Sequence, residues 1–196
     1  MAAISLITGL GNPGSGYEAT RHNAGFWFLD VLARRWPMDL RVENRFRGAL
    51  ADLRIDRHRV RVLRPETFMN ESGSPVASVA NYFDFAPEKI LVVHDDLDLP
   101  PGSVRVKRGG GHGGHNGLRD IFSKLGSREF VRLRIGIGHP GNADEVTNYV
   151  LQKPSAADRN AIFDAIDRAV ERLDELLDGE LELAMNVLHR DAKDTL

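Results

Sequence analysis

The chain has 196 residues, of which 42% are hydrophobic and 28% charged, a composition that favours a folded globular protein over a disordered one. Its formal net charge of −2 excludes a global basic field, so any contact with nucleic acid must come from a local basic patch. The absence of cysteine excludes disulfides, thiolate catalysis and cysteine-bound metals.

The N-terminal residues indicate neither a secretion signal nor a membrane anchor. Residues 1–9 contain no basic residue and reach a glycine after a short apolar run. No apolar run approaches the roughly 18 residues that a membrane-spanning helix needs. We therefore expect a cytoplasmic enzyme or binding protein without a membrane segment.

Hydrophobic periodicity in the first half of the chain predicts a strand, a helix, a hairpin and a second helix. The helices have apolar residues on one face, and the hairpin alternates apolar and polar residues. The second helix also has a start signal, with Ser74 as N-cap and Pro75 at its first position. The predicted elements are a strand at 4–10, a helix at about 23–36, a hairpin of 49–55 with 59–63, and a helix from Ser74 to about Phe83.

The second half of the chain predicts a central strand, two basic strands and two helices. Residues 89–94 are rich in β-branched side chains, as central strands are. The strands near 104–107 and 132–137 each place basic residues on one face and apolar residues on the other. A helix begins after Ser155, which approximates a capping box, and extends to about Asp178; a shorter helix follows at 181–188.

Strands and helices interleave without a linker or repeat, which predicts a single α/β domain over residues 1–196. The expected fold is a twisted, mixed and largely parallel central sheet with helices on both faces. In such sheets the ligand crevice lies beyond the carboxyl ends of the strands. Polar residues follow three of the predicted strands, namely Asn12, the segment 67–70 and the segment 94–96. This convergence predicts a functional site at that edge.

A glycine-rich motif at 109–117 reads Gly-Gly-Gly-His-Gly-Gly-His-Asn-Gly. Ordering so many glycines is costly, and the imidazoles and carboxamide among them favour a functional loop over a flexible linker. A metal site is the alternative, because His112 and His115 lie three residues apart and the segment 94–98 adds a second group of ligands. Flanking glycines make a floppy ligand arm, so we favour contact with substrate over metal binding.

Two common motifs do not account for the chemistry of this chain. Gly9, Gly11 and Gly14 have the spacing of a dinucleotide-binding fingerprint, but the loop continues past Gly14 and helical periodicity begins only near Asn23. A tight turn that presents Asn12 is the favoured interpretation. The Gly-x-Ser-x-Gly motif of serine hydrolases does not occur.

His22 stands just before the first predicted helix and is a candidate general base. The helix dipole would lower its pKa, while a neighbouring carboxylate such as Asp95 would orient the ring and stabilise its protonated form. The alternative is that His22 only caps the helix or packs against it. Both interpretations remain open on the residues alone.

Two further groups of residues have a structural and a functional interpretation. The segment 67–70, Thr-Phe-Met-Asn, either anchors the core or places an aromatic ring against a base or sugar, with Asn70 donating to a carbonyl. The cations of the two basic strands are either solvent-facing residues or a phosphate clamp beside the glycine-rich motif. These cations are Arg105, Lys107, Arg132 and Arg134.

Taken together, these motifs closely resemble those of the bacterial peptidyl-tRNA hydrolase family. The matching segments follow one another in the same order and span most of the chain. They are Gly-Leu-Gly-Asn-Pro-Gly (9–14), Tyr17 to Gly25, Thr-Phe-Met-Asn (67–70), His-Asp-Asp-Leu-Asp-Leu-Pro (94–100), residues 109–118 and residues 132–141. Arg105 stands where some members carry lysine, which keeps the charge.

The resemblance implies hydrolysis of the ester that joins a peptide to the 3′ ribose of tRNA. His22 would be the general base that activates water, and Asp95 would hold its ring. Asn12 would help to sense the acylated amine, and Asn70 and Asn116 would bind the peptide backbone or the 3′ end. The family needs no metal or other cofactor, and the partner is peptidyl-tRNA, with the protein acting as a monomer that needs no obligatory protein partner.

The resemblance also implies where tRNA is held. Tyr17 and Phe68 would contact the 3′ end, and His115 would line the gate of the site. Lys107, Arg105 and Arg134 would clamp phosphates. A metallo-hydrolase and a noncatalytic RNA-binding module that shields peptidyl-tRNA remain the alternatives.

Overall fold

Seven strands form one sheet in the computed structural model, which describes residues 2–190. The strands are β1 (Leu6–Gly9), β2 (Arg41–Glu43), β3 (Gly48–Ile55), β4 (His58–Pro65), β5 (Ile90–Asp96), β6 (Val104–Arg108) and β7 (Val131–Gly136). The helices are α1 (Ala24–Arg35), α2 (Gly73–Tyr82), α3 (Asn116–Leu125), α4 (Val146–Val150), α5 (Ala156–Glu171), α6 (Leu173–Leu177) and α7 (Leu181–Leu188). None of these helices combines the length and apolar character needed to span a bilayer.

The sheet has the strand order β2-β3-β4-β1-β5-β7-β6. Four of the inner strands, β4, β1, β5 and β7, are parallel to one another, whereas β3 is antiparallel to β2 and β4, and β6 is antiparallel to β7. The hairpin of β3 and β4 confirms the one predicted from alternation, with Ile55 opposite His58 at its tip. The expected mixed, largely parallel sheet is therefore confirmed.

The two faces of the sheet are covered by different helices because side chains alternate along each strand. Leu6 of β1 packs with α2 and α3, while its neighbour Ile7 packs with the opposite core. That second core contains side chains of α1, α5, α6 and α7. Helices on both faces are thus confirmed. The carboxyl ends of β1 and β5 lie between these two layers of helices.

The start of α2 differs from the prediction by one or two residues. Ser74 is not the N-cap, because α2 already begins at Gly73. The carboxylate of Asp120, in α3, accepts a hydrogen bond of 2.8 Å from the Gly73 N–H and so serves the first turn in place of a local cap. Pro75 falls within that first turn, where its missing N–H forfeits no helical bond.

The C-terminal helical region also differs, because one predicted helix is divided into two. Ser155 caps α5 as expected and accepts from the Asp158 N–H at 3.1 Å. The helix then ends at Glu171, and α6 begins only after Arg172. Both segments bury their apolar residues in the same core, so the periodicity continues across the break.

Helix α3 was not predicted, because the glycines before it suggest a loop. Its signal was present in Leu118 and Ile121, which are fully buried at helical spacing, and in Gly126, which ends the helix with a φ of 67°. The edge strand β2 and the short helix α4 were missed too. Both are too brief to have a periodicity of their own.

Candidate active site

A cavity of about 650 Å³ opens beyond the carboxyl ends of the inner strands. It brings together residues from β5, β6, β7, α3, α4 and the loops that follow β1 and β4. Ten of the eleven predicted site residues line it: Asn12, Tyr17, His22, Phe68, Asn70, Asp95, Lys107, His115, Asn116 and Arg134. The eleventh, Arg105, is outside the lining.

The glycines near Asn12 have a structural explanation that differs from cofactor binding. A Cβ on Gly9 would meet the Gly25 carbonyl oxygen at 2.3 Å, and one on Gly11 would meet the Phe26 ring at 2.6 Å. Both glycines therefore allow β1 and its loop to pack against α1. Because α1 begins at Ala24, no helix N-terminus follows this loop directly, which agrees with rejecting the dinucleotide fingerprint.

The centre of the site is a buried carboxylate, Asp95, between two imidazoles. Asp95 lies near the end of β5, and His22 lies in a 3-10 helix, Arg21–Asn23, that leads into α1. His22 Nδ1 is 3.0 Å from Oδ1 and 2.9 Å from Oδ2 of Asp95. His115 Nε2 is 3.0 Å from Oδ1 of the same carboxylate. The expected His22–Asp95 contact is therefore present.

These contacts determine where the protons lie. An ionised carboxylate only accepts, so Nδ1 of His22 carries the proton and Nε2 keeps its lone pair. Burial alone would lower the pKa of His22, but the charge and the hydrogen bond of Asp95 outweigh it and raise that pKa above its ordinary value of 6.5. Burial would raise the pKa of Asp95, yet the two histidines hold it well below its usual range. The Asp95 carboxylate, rather than the helix dipole, therefore determines the direction in which the pKa of His22 shifts.

The tautomer of His115 follows from the cap it gives to α3. Its Nδ1 accepts from the backbone N–H of Leu118 at 3.3 Å, and a backbone amide can only donate. The ring proton therefore lies on Nε2 and points at Asp95.

This tautomer bears on the alternative of a metal site. Within residues 2–190, the potential ligand atoms of His22, Asp95 and His115 lie within 4.8 Å of one another. A metal would bind His115 through the lone pair of Nε2, which requires the ring proton to move to Nδ1. The Nδ1–H group would then face the Leu118 N–H, so that two donors would oppose each other. His112 lies apart from the cluster and accepts from the Gly114 N–H. The arrangement thus suits hydrogen bonding better than metal ligation.

His94 forms a neutral wall behind this cluster. It is 1% exposed, and its Nδ1 donates to the Asp95 backbone carbonyl at 2.7 Å. Its ring packs edge-on against His115, with centroids 5.0 Å apart. Burial, with a contribution from His115, lowers the pKa of His94 to about 3, so the ring is uncharged at neutral pH. From the sequence, His94 is expected only as one of a possible group of metal ligands.

Asn12 is held in one amide orientation. Its Oδ1 accepts from the Met69 backbone N–H at 2.7 Å, which leaves Nδ2 as the donor available to the cavity. Asn23 fixes the backbone of Asn12 on both sides, accepting from its N–H at 2.8 Å and donating to its carbonyl at 3.0 Å. Asn23 was not predicted as a site residue, although it lies in the matching segment from Tyr17 to Gly25.

The segment 67–70 contains both a core residue and residues exposed at the cavity. Met69 is buried in the core with α2 and α3, whereas Phe68 is 55% exposed at the cavity. Phe68 meets Tyr17 edge to face, with ring centroids 6.0 Å apart. Asn70 follows with an exposed amide in a short 3-10 helix. An aromatic pair and a carboxamide therefore border the opening.

The basic residues of β6 and β7 occupy one face of the sheet but differ in their surroundings. Arg134 donates from Nε to Oδ2 of Asp96 at 2.7 Å, while Lys107 is exposed in the cavity lining. Arg132 is 3% exposed and donates from Nη1 to the Gly111 carbonyl at 2.7 Å. Arg105 instead sends Nη1 to the Leu188 carbonyl at the end of α7. The structure therefore places Lys107 and Arg134 at the cavity but not Arg105.

One wall of the cavity is apolar and was not predicted. Val146, Val150 and Leu151 line it from α4 and the residue after it. Arg21 holds this wall in place, because its Nη1 donates to the carbonyls of Tyr149, Gln152 and Lys153 at 3.1–3.3 Å. The 3-10 helix that carries His22 is thereby tied to α4.

Comparisons with known proteins identify the family of this chain. A family model described as peptidyl-tRNA hydrolase matches residues 6–195. The peptidyl-tRNA hydrolase of Halorhodospira halophila is 54% identical over 184 residues, 94% of this chain and 95% of that protein. The one from Alcanivorax borkumensis is 55% identical over 187 residues, 95% of this chain and 96% of that protein. The crystal structure of the Acinetobacter baumannii peptidyl-tRNA hydrolase superposes with a TM-score of 0.94 at 46% identity and covers 97% of each chain.

Proposed function

The chain belongs to the peptidyl-tRNA hydrolase family, and from that membership we propose its reaction and the role of each site residue. The enzyme hydrolyses the ester between a peptide and the 3′ ribose of tRNA, which frees the tRNA for reuse in translation. It acts in the cytoplasm as a monomer formed by one domain, residues 1–196. It belongs to the chemical class of carboxylic ester hydrolases and works without a metal.

His22 is the general base of the proposed reaction. The observation that carries this assignment is the double contact of its Nδ1 with Asp95, which leaves the Nε2 lone pair for a water molecule. Nε2 takes a proton as the water oxygen attacks the ester carbonyl. The imidazolium then returns that proton to the departing 3′ oxygen of the ribose, so the proton balance closes. Asp95 stabilises the transient imidazolium.

The carboxamides supply hydrogen-bond donors for the substrate carbonyls. Asn12 Nδ2 donates to the carbonyl that acylates the amino group of the terminal residue, an acceptor that free aminoacyl-tRNA lacks. The free ammonium of an aminoacyl-tRNA is itself a donor and would face the Asn12 Nδ2 donor without a hydrogen bond. Such a substrate is therefore rejected. Asn70 and Asn116 bind the peptide backbone or the 3′ end and help to polarise the ester carbonyl.

The tRNA is held at the border of the cavity. Tyr17 and Phe68 contact the unpaired 3′ end, where exposed aromatic rings stack well on bases. Lys107 and Arg134 contact phosphates by charge, and Arg105 adds positive potential from the same strand pair. His115 lines the entrance on the glycine-rich side.

Release of tRNA from an N-blocked aminoacyl-tRNA tests the proposed function. Wild-type protein and the His22→Ala variant are each incubated with this substrate, with and without a chelator. Release by the wild type that is insensitive to chelator supports the metal-independent hydrolase. Release that the chelator abolishes would indicate a metallo-hydrolase, and binding without release would indicate an RNA-binding module.

A further inference from the structure

The Asp95 carboxylate is shared between two imidazole donors, although the reaction proposed above needs only one. Oδ1 accepts from His115 Nε2 and also lies within 3.0 Å of His22 Nδ1, so both rings draw on the same negative charge. The His22 and His115 rings lie close together, with centroids 5.0 Å apart. All three side chains are buried or nearly so.

His115 is well suited to a supporting role because its own protonation state is constrained. The Leu118 N–H at Nδ1 keeps the ring proton on Nε2, as described above. In a doubly protonated ring, Nδ1 would carry a proton that faces the Leu118 N–H. Nδ1 could then no longer accept from this amide, and α3 would lose its side-chain cap. His115 therefore directs one N–H at Asp95.

We propose that His115 is a positioning residue that sets the basicity of His22 through their common partner Asp95. This inference rests on the proposed function, because it concerns the same base. The His115 N–H holds the carboxylate in place and takes up part of its charge. Without that N–H the carboxylate would serve His22 alone, stabilise its protonated form more strongly and so raise its pKa.

The other charged and titratable groups around the cluster leave this role to His115. His94, on β5, stays neutral, and its Nδ1 is occupied by the Asp95 carbonyl. Arg134, on β7, is paired with Asp96 rather than Asp95. Arg21, next to His22, directs its guanidinium to the carbonyls behind α4.

The test replaces His115 by asparagine and by glutamine. His115→Asn keeps an oxygen that can cap α3 but is too short to reach Asp95. His115→Gln restores an N–H of nearly the original reach and is the conservative rescue. The control, His139→Asn, changes an exposed histidine that lies outside the cavity lining. Thermal unfolding verifies that each variant is folded.

Two readouts are compared, the titration of the His22 ring by NMR without substrate and the pH profile of kcat/KM. We expect His115→Asn to raise the pKa of His22, with a several-fold loss of kcat/KM at low pH that shrinks at high pH. His115→Gln should move both values back toward the wild type, and His139→Asn should leave them unchanged. A uniform loss of activity at every pH, with an unchanged His22 titration, would overturn the proposal.

The NMR titration also separates this inference from the proposed function. It reports the coupling of His115 to His22 even if the wild-type protein releases no tRNA. If hydrolysis failed while the titration shifted as expected, the proposed function would fall and the coupling would remain. If hydrolysis proceeded and the titration did not shift, only the role of His115 would fall.

Discussion

At the residue scale, the decisive feature is the hydrogen bond of 2.9 Å between His22 and Asp95, which are 73 residues apart in the chain. The carboxylate binds Nδ1 of the ring and so leaves the lone pair on Nε2. It also raises the pKa of His22, against the opposing effect of burial. One contact thus controls both the orientation and the basicity of the group proposed to activate water.

We predict that His22→Ala will lower kcat by about 10²–10⁴-fold, because general base catalysis contributes that much and no other described side chain offers a lone pair at this point. Binding of uncharged tRNA should change little, since the phosphate and aromatic contacts remain. Single-turnover release and tRNA titration measure the two effects. The exposed His139 provides the matched control as His139→Ala, and near-normal turnover by His22→Ala would refute the assignment.

We predict that Asp95→Asn will lower kcat and move the acid limb of the pH profile to lower pH. His22 must be neutral to act, so activity is lost as pH falls through its pKa. Removing the Asp95 charge leaves burial dominant and therefore lowers that pKa. The profile of kcat against pH measures the shift, with Asp98→Asn, an exposed carboxylate of the same cavity, as the control. Identical profiles for wild type and Asp95→Asn would exclude the orienting role.

At the element scale, two segments bring the site together from different parts of the chain. Helix α3 presents His115 at its N-cap and Asn116 at its first position, directly after the glycines. The antiparallel strands β6 and β7 place Lys107 opposite Arg132, and Arg105 opposite Arg134. Helix α3 thus positions His115 beside Asp95, and the strands β6 and β7 position the cations. The glycine-rich motif between β6 and α3 supplies backbone that bends sharply.

We predict that Lys107→Ala and Arg134→Ala will each weaken tRNA binding and reduce its salt dependence by about one unit of slope, because each removes one phosphate contact. Titrations of tRNA at several salt concentrations measure this slope. Arg105→Ala is the comparison from the same strand pair, and its effect should be smaller because its guanidinium reaches the Leu188 carbonyl. If the same variants weakened binding of a short peptidyl-adenosine fragment equally, Lys107 and Arg134 would not be contacts to distal phosphates.

At the scale of the whole molecule, the site lies where two helical layers meet the carboxyl edge of one sheet. The parallel strands β1 and β5 bring Asn12 and Asp95 to that edge from separate parts of the chain. Burying polar groups there carries a cost, and His94 is the clearest case. Within residues 2–190 its buried Nε2 has no hydrogen-bond partner, and burial lowers its pKa to about 3, which favours the neutral ring.

We predict that the free energy of unfolding will fall as pH decreases from about 6.5, in part because of His94. The folded pKa of about 3 lies below the ordinary value of 6.5, so between these values the unfolded chain binds a proton that the folded one does not. His94→Asn retains an N–H for the Asp95 carbonyl and removes this titration. Denaturation at pH 7 and pH 4.5 should then give a smaller acid loss for the variant, with His139→Asn as control. An unchanged pH dependence would contradict this explanation.

Several features could be predicted from the sequence because they depend on neighbouring residues. Alternation along 49–63 predicted the hairpin, and the apolar stripe after Asn23 predicted α1. Polar residues at the ends of predicted strands predicted where the cavity lies, since parallel strands place those ends at a common edge. The motifs that resemble peptidyl-tRNA hydrolases then suggested the reaction, in agreement with the family match.

Other features depended on contacts that no local pattern encodes. Asp120 determines where α2 begins, and the Leu188 carbonyl draws Arg105 away from the cavity. The Leu118 amide decides the tautomer of His115, and the Met69 amide decides which end of Asn12 can meet a substrate. Sequence periodicity records which side chains must be buried, but the direction of a hydrogen bond depends on which partner the tertiary packing brings within 3 Å. The sequence alone therefore determined the fold class and the location of the candidate site, and only the tertiary structure decided the tautomers and orientation of its groups.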